Sequence, residues 1–238
     1  MATTQSKKQR ERAVVCLSGG MDSCVTAALA ARDYETYGIH FSYGQLTETR
    51  EFNAARDVAQ ALGIREVMHL RLDIFRRIGG SALTDSHIAV PRTAAGAALD
   101  GDPAAGIPVT YVPFRNAHFL SAAVSWAEVL GAKKVYIGAV EQDSSGYPDC
   151  RPAYYEAFNR LVQVGTKEGD IRIITPLITL KKVEIVRLGL ELHAPFHVTW
   201  SCYSGNAAAC GVCDSCVLRL RAFQQAGVAD PLPYETAH

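Results

Sequence analysis

No apolar run in this chain approaches the ~20 residues that a membrane-crossing helix needs, which argues against a helical membrane protein. There is no excess of either charge. The 24 basic and 24 acidic residues cancel, which argues against a protein held to nucleic acid mainly through its phosphates. The first twelve residues, Met1 to Arg12, are polar and basic and lack the apolar core of a secretory signal. They read as a disordered tail, with a binding role for Lys7, Lys8, Arg10 and Arg12 the weaker alternative. Neither a Gly-Lys-Ser/Thr phosphate loop nor a Gly-x-Gly-x-x-Gly dinucleotide turn is found, and there is no internal repeat. What is present is ample for a core: 238 residues, 48% of them apolar, bury about 70–75% of the unfolded surface. Seven cysteines without a secretory signal point to a reducing cytoplasm, where clustered thiols favour metal over disulfides.

The most informative stretch is Ser18-Gly19-Gly20-Met21-Asp22-Ser23. It follows the apolar run Ala13–Leu17 and precedes Val25–Ala31, which reads as strand, tight turn and helix. Two glycines let the backbone bend close to a ligand, and the helix turns its free N–H groups and positive dipole end toward the turn. Such a turn cradles anions, usually phosphates. Ser18 and Ser23 add hydroxyls, and Asp22 adds a carboxylate suited to Mg²⁺. The plain alternative is a helix cap after a Gly-Gly turn.

Further strands are expected over 35–41, 66–72, 134–139 and 171–175, and helices over 47–62, 117–130, 151–167 and 181–190. Strand and helix alternate, so the fold class is α/β: a parallel, Rossmann-like sheet between two helical layers, with ligands at the carboxyl ends of the strands. Residues 78–113 are broken repeatedly by Gly and Pro and read as an active-site flap or a surface insertion. Tyr43-Gly44-Gln45, just past a strand, is equally well an ordinary turn.

Near the C-terminus Cys202, Cys210, Cys213 and Cys216 are spaced C-x7-C-x2-C-x2-C, with Gly205 and Gly211 easing the bends. Four thiolates complete the tetrahedron of a structural Zn²⁺. A redox Cys213/Cys216 pair, an iron–sulfur cluster and a nucleic-acid-binding zinc ribbon are the rivals. Cys16 and Cys24 lie on apolar elements and read as core. The chain thus divides into a tail (1–12), an α/β domain (13–190) and a metal-binding, helical C-terminal segment (191–238).

The hexamer resembles the loop of the N-type ATP pyrophosphatases, whose fold is the adenine nucleotide alpha hydrolase type. Together with Tyr43-Gly44-Gln45, Val112-Pro-Phe-Arg-Asn116, Ser145-Gly-Tyr-Pro-Asp-Cys-Arg151, Thr199-Trp-Ser-Cys-Tyr203 and Cys210-Gly-Val-Cys-Asp-Ser-Cys216, it resembles the 7-cyano-7-deazaguanine synthases of the queuosine pathway. Two departures stand out: Phe114, where the pattern has a small residue, and a slightly short gap after Cys202.

The resemblance implies an ATP-dependent carbon–nitrogen ligase. Its substrates are 7-carboxy-7-deazaguanine, ammonia and Mg-ATP, its zinc is structural, and it is a cytoplasmic homodimer acting on no nucleic acid. Leu17, Ser18, Gly19, Gly20, Met21, Asp22, Ser23 and Cys24 then hold the nucleotide, with Phe41 and Gly138 beside the adenosine. Asp22, Ser23, Arg115 and Lys181 are the catalytic residues, and Tyr147, Asp149 and Arg151 bind the deazaguanine acid. A tRNA-modifying ATP pyrophosphatase and a non-catalytic nucleotide-binding or zinc-ribbon module are the competing readings.

Overall fold

The computed structural model describes residues 10–85, 87–91, 106–141, 146–204 and 207–235. Most of the expected tail, the middle of the 78–113 stretch, Ser145, Gly205 and Asn206 lie outside them. Five parallel strands form one sheet in the order β3-β2-β1-β4-β5: β1 (Arg12–Cys16), β2 (Glu35–Ser42), β3 (Val67–Arg71), β4 (Lys134–Ile137) and β5 (Arg172–Ile174). Arg12, expected in the tail, instead opens β1 opposite Glu35.

The helices α1 (Met21–Asp33), α2 (Glu48–Ala61), α3 (Ile74–Ile78), α4 (Arg115–Leu130), α5 (Pro152–Gly165), α6 (Lys182–Glu191) and α7 (Asp214–Ala226) follow in chain order. The alternation of side chains along β1 sorts them into layers. Ala13, Val15 and Leu17 pack with Ala27 and Ala30 of α1 and Ala55 and Val58 of α2. Val14 and Cys16 point the other way, to Leu120 and Ala123 of α4 and Tyr155 and Phe158 of α5. The fold is therefore the three-layer, Rossmann-like α/β type. Ala13, Val14 and Val15 are wholly buried, as a central parallel strand covered on both faces must be.

The strand order reverses between β1 and β4. Chains leaving two neighbouring strands in opposite directions open a crevice there, the usual ligand site of such sheets. Gly138, just past β4, sits against the first turn of α1. A Cβ on it would lie 2.9 Å from the Asp22 carbonyl carbon and 3.0 Å from Ser23 N. Only glycine lets these elements approach so closely.

A third layer of contacts ties the C-terminal segment to this point. Met21 and Val25 of α1 share a cluster with Ile185 and Val186 of α6 and Ala222 and Phe223 of α7. Below it lies a fully buried ion pair. Arg219 of α7 donates to Asp230 at 2.7 and 2.9 Å, to Thr199 Oγ1 at 2.7 Å and to the Phe196 carbonyl. Removing either partner of such a pair costs about 3–5 kcal/mol, because the other charge stays buried alone.

Candidate active site

A cleft of about 330 Å³ opens over the β1–β4 crevice. Its floor is the turn 18–23. The Ser18 and Ser23 hydroxyls are 3.0 Å apart, Ser18 Oγ accepts from Gly20 N, and Ser23 Oγ donates to the Gly20 carbonyl. Gly19 takes φ +88°, which favours glycine. A Cβ there would be 2.5 Å from the Glu51 carbonyl oxygen of α2. Of the first-turn amides of α1, which have no acceptor within the helix, Met21 N donates to Ser201 Oγ, and those of Asp22 and Ser23 remain for an anion.

Asp22 stands beside them. Its Oδ2 accepts from Lys182 Nζ at 2.6 Å, while Oδ1 is buried without a hydrogen-bond partner among the described residues. A buried carboxylate oxygen left without a donor suits a divalent cation.

The opposite wall carries a second charge. Arg115, the first residue of α4, donates to Tyr43 Oη at 2.9 Å and lies over the Tyr43 and Phe119 rings. Its Nε is buried without a partner, and no carboxylate is in ion-pair contact with it among the described residues. Tyr147 closes this side, bonded through its hydroxyl to Thr110 Oγ1 at 2.6 Å. Phe41 stacks on Phe119 at 4.2 Å. Leu83 and Thr110, both from the 78–113 stretch, also line the cleft.

Leu17, Ser18, Gly20, Met21, Asp22, Ser23, Phe41, Arg115, Gly138 and Tyr147 are thus brought together as lining residues, with Gly19 beneath them. Others go elsewhere. Cys24 faces the core, where burial pushes its thiol up to about 12. Lys181 is exposed: it precedes α6, and its backbone N–H is capped by Glu184 at 2.7 Å. The lysine in the cleft is its neighbour Lys182. The helical period held the signal, since Lys182 lies three, four and seven residues before Ile185, Val186 and Gly189, the buried face of α6.

Asp149, expected against the base edge, is buried outside the lining, its Oδ2 accepting from Asn116 N at the start of α4. It serves the helix terminus that presents Arg115. Arg151 is exposed at the start of α5, away from the cleft. Phe114, the departure from the family pattern, is not among the residues that line the cleft. The residue is 59% exposed, its ring lies near those of His118 and Tyr154, and its φ of 56° is unusual for an aromatic residue.

The four C-terminal cysteines converge, with all four sulfurs within 4.8 Å of one another. Cys210 Sγ and Cys216 Sγ are 4.0 Å apart, close to the about 3.8 Å separation of sulfurs held 2.3 Å from one tetrahedral ion. Backbone N–H groups of Ser204 and Cys210 point at Cys202 Sγ, and that of Cys213 at Cys210 Sγ, as thiolate ligands require. Their mutual contacts push the Cys213 thiol up to about 12, hydrogen bonding with Cys202 foremost; a bound cation reverses that pressure. The donor set therefore fits a metal ion. The two residues before Cys202 grip the turn: Trp200 N donates to the Gly19 carbonyl at 2.8 Å, and Ser201 Oγ accepts from Met21 N at 3.4 Å.

The family model described as "Queuosine biosynthesis protein QueC" matches residues 12–227. The chain belongs to the QueC family. Relatives named 7-cyano-7-deazaguanine synthase include one from Acidobacterium capsulatum, 71% identical over 95% of this chain and 97% of that protein. Another, from Koribacter versatilis, is 63% identical over 94% and 93%. Among solved structures, the NMN synthetase from Francisella tularensis matches at 19% identity and a TM-score of 0.43, covering 82% of this chain and 66% of its own. The residues that sequence reasoning missed in this QueC-family cleft are Lys182, which α6 periodicity marks, and Trp200 and Ser201, whose docking on the turn no local pattern reveals.

Proposed function

We propose that this chain converts 7-carboxy-7-deazaguanine, ammonia and two molecules of ATP to 7-cyano-7-deazaguanine, in queuosine biosynthesis. A free carboxylate is a poor electrophile. In this reading it attacks the α-phosphorus of ATP, pyrophosphate leaves, and an acyl-adenylate forms. Ammonia displaces AMP to give the amide. The amide oxygen attacks a second ATP, and loss of AMP leaves the nitrile. Both activations are attack on the same phosphorus, so one cleft serves both, chiefly by positioning and charge stabilisation.

The 18–23 turn and the α1 terminus receive the pyrophosphate. Lys182 fixes Asp22 so that its second oxygen faces the Mg²⁺ that accompanies ATP, and that ion offsets phosphate charge. Arg115 takes the substrate carboxylate, Tyr147 the ring. The cysteine cluster holds a structural zinc that keeps Trp200 and Ser201 on the turn. The same reading makes the chain a cytoplasmic homodimer.

The observation that carries the proposal is the pairing in one cleft of an anion-cradling turn with a guanidinium that has no carboxylate partner among the described residues, in a chain 71% identical to a named synthase. Incubation with Mg-ATP, ammonium and the 7-carboxy acid, read by mass spectrometry, tests it. Nitrile and AMP together are the expected products. AMP without nitrile moves the search to another acceptor, and no AMP from folded, metal-loaded protein refutes the reading.

A further inference from the structure

One acidic side chain in the cleft has no task in that scheme. Glu51, in the first turn of α2, lines the cleft, and the pyrophosphate turn rests on its backbone through Gly19. Its Oε1 accepts from the Thr47 hydroxyl at 2.8 Å and its Oε2 from the Gln45 side-chain amide at 3.1 Å. Gln45 is itself fixed, accepting from Tyr43 N at 2.8 Å and donating to the Phe41 carbonyl. Neutral donors therefore hold the carboxylate in place without cancelling its charge, and each oxygen keeps acceptor capacity. No lysine, arginine or histidine is in ion-pair contact with it among the described residues. The titratable groups that bear on it are Tyr43, Glu48 and Arg115. Burial raises its proton affinity above that of an ordinary glutamate.

A desolvated carboxylate without a cation suits a small cation. The proposed reaction consumes one. At neutral pH ammonia is mostly ammonium, which is no nucleophile until it loses a proton. Resting on the functional reading above, we infer that Glu51 binds ammonium in the cleft and accepts the proton whose loss makes it the nucleophile. One N–H bond of ammonium breaks, its electron pair stays on nitrogen, and the proton goes to the Glu51 carboxylate. Nitrogen then forms the C–N bond with the acyl-adenylate carbon. The C–O bond to AMP breaks, AMP leaves with that electron pair, and a second proton from nitrogen passes to solvent, leaving the neutral amide.

The test separates the steps. Acid-dependent exchange of labelled pyrophosphate into ATP reads adenylation without ammonia. Amide formation with ammonium reads the proposed step. Hydroxamate formation with hydroxylamine, already neutral at neutral pH, reads attack without proton removal. Glu51→Gln keeps the size of the side chain and removes its charge and basicity. It is expected to lower kcat/KM for ammonium about a hundredfold, the scale of a lost general base. Exchange and hydroxamate formation are expected to stay within about threefold, since neither needs that base. If ammonium and hydroxylamine rates fall together, or the ammonium rate is unchanged, the inference is overturned. No acid-dependent exchange in the unsubstituted protein overturns the functional reading, and this inference with it. Should Glu51→Gln not fold, Glu51→Asp carries the same comparison, because its shorter side chain withdraws the carboxylate while keeping its charge.

Discussion

Placing one methyl group at Gly138 tests whether the β1–β4 crevice positions the chemistry. Its backbone lies outside the left-handed region, so alanine meets no conformational penalty there. The cost is contact alone. The new Cβ would stand 2.9 Å from the Asp22 carbonyl carbon, 3.0 Å from its oxygen and 3.0 Å from Ser23 N, all backbone atoms. Carbon atoms prefer about 3.5–4.0 Å, so β4 and α1 must part by roughly 0.5 Å or more. Overpacking of this kind costs about 1–3 kcal/mol. At about 2–4 °C per kcal/mol for a chain of this size, Tm is expected to fall by about 2–12 °C. The same displacement carries the turn and Asp22 away from Arg115. A 1 Å error can cost about a hundredfold in rate, so about a tenfold loss in AMP formation is expected. Thermal unfolding and initial-rate assays on one preparation measure both, with metal content as a control. Gly165→Ala in α5, where a Cβ meets nothing within 4 Å, should keep full activity and lose no stability. A Gly138→Ala protein with unchanged Tm and rate would refute the argument that close approach at this crevice sets the site.

Three other outcomes follow from single contacts. Lys182→Met should lower AMP formation about 10²–10³-fold, the scale of a lost electrostatic group, while Lys181→Met stays within about threefold, and steady-state assays of the pair decide it. His40 is buried, bonded through Nδ1 to the Leu17 carbonyl at 2.8 Å, and burial lowers its pKa to about 4. The unfolded chain protonates it near 6.5, so between about pH 6.5 and 4 the unfolded state holds more protons and stability falls, by up to about 3 kcal/mol; His40→Phe should flatten denaturant-unfolding curves across that window. Cys213→Ser, or a strong chelator, should release the metal and lower Tm; a metal-free protein of unchanged Tm would sink the structural role of the cluster.

The sheet was legible because β1 is a dense apolar run and the other strands, though more mixed, alternate with helical periods. The 18–23 turn was legible because its chemistry is contiguous. What the sequence concealed depends on contacts between distant segments. Lys181 and Lys182 are chemically alike, and one residue of helix phase sends one to solvent and the other to Asp22. Asp149 sits in a motif that suggests ligand binding, yet its carboxylate is taken up by Asn116 N, 33 residues away in the chain. The short helix α3 escaped notice because five residues give too little period to see. Glu51 had no local signature. It reads as one more acid in the first turn of an amphipathic helix, and its burial beside the cleft follows from the packing of Gly19 on α2.

The cysteine segment bears on the chemistry through the same kind of contact. Trp200 is buried between Ala54 of α2 and the cysteine sulfurs, with Arg50 over its ring at 4.4 Å. Its backbone N–H holds the Gly19 carbonyl, and the Thr47 hydroxyl that donates to Glu51 also lies 3.2 Å from the Cys202 carbonyl, so its one proton is shared between the two. The stretch from Trp200 to Cys202 is therefore clamped from two sides, by sulfurs below and by the turn and α2 above. An extended loop held only by such hydrogen bonds, each worth about 0.5–1.5 kcal/mol net, would not keep its place against its own conformational entropy. A metal ion held through Cys202 would supply the missing restraint, and the cluster would then support the Trp200–Ser201 wall of the cleft rather than stand apart from it.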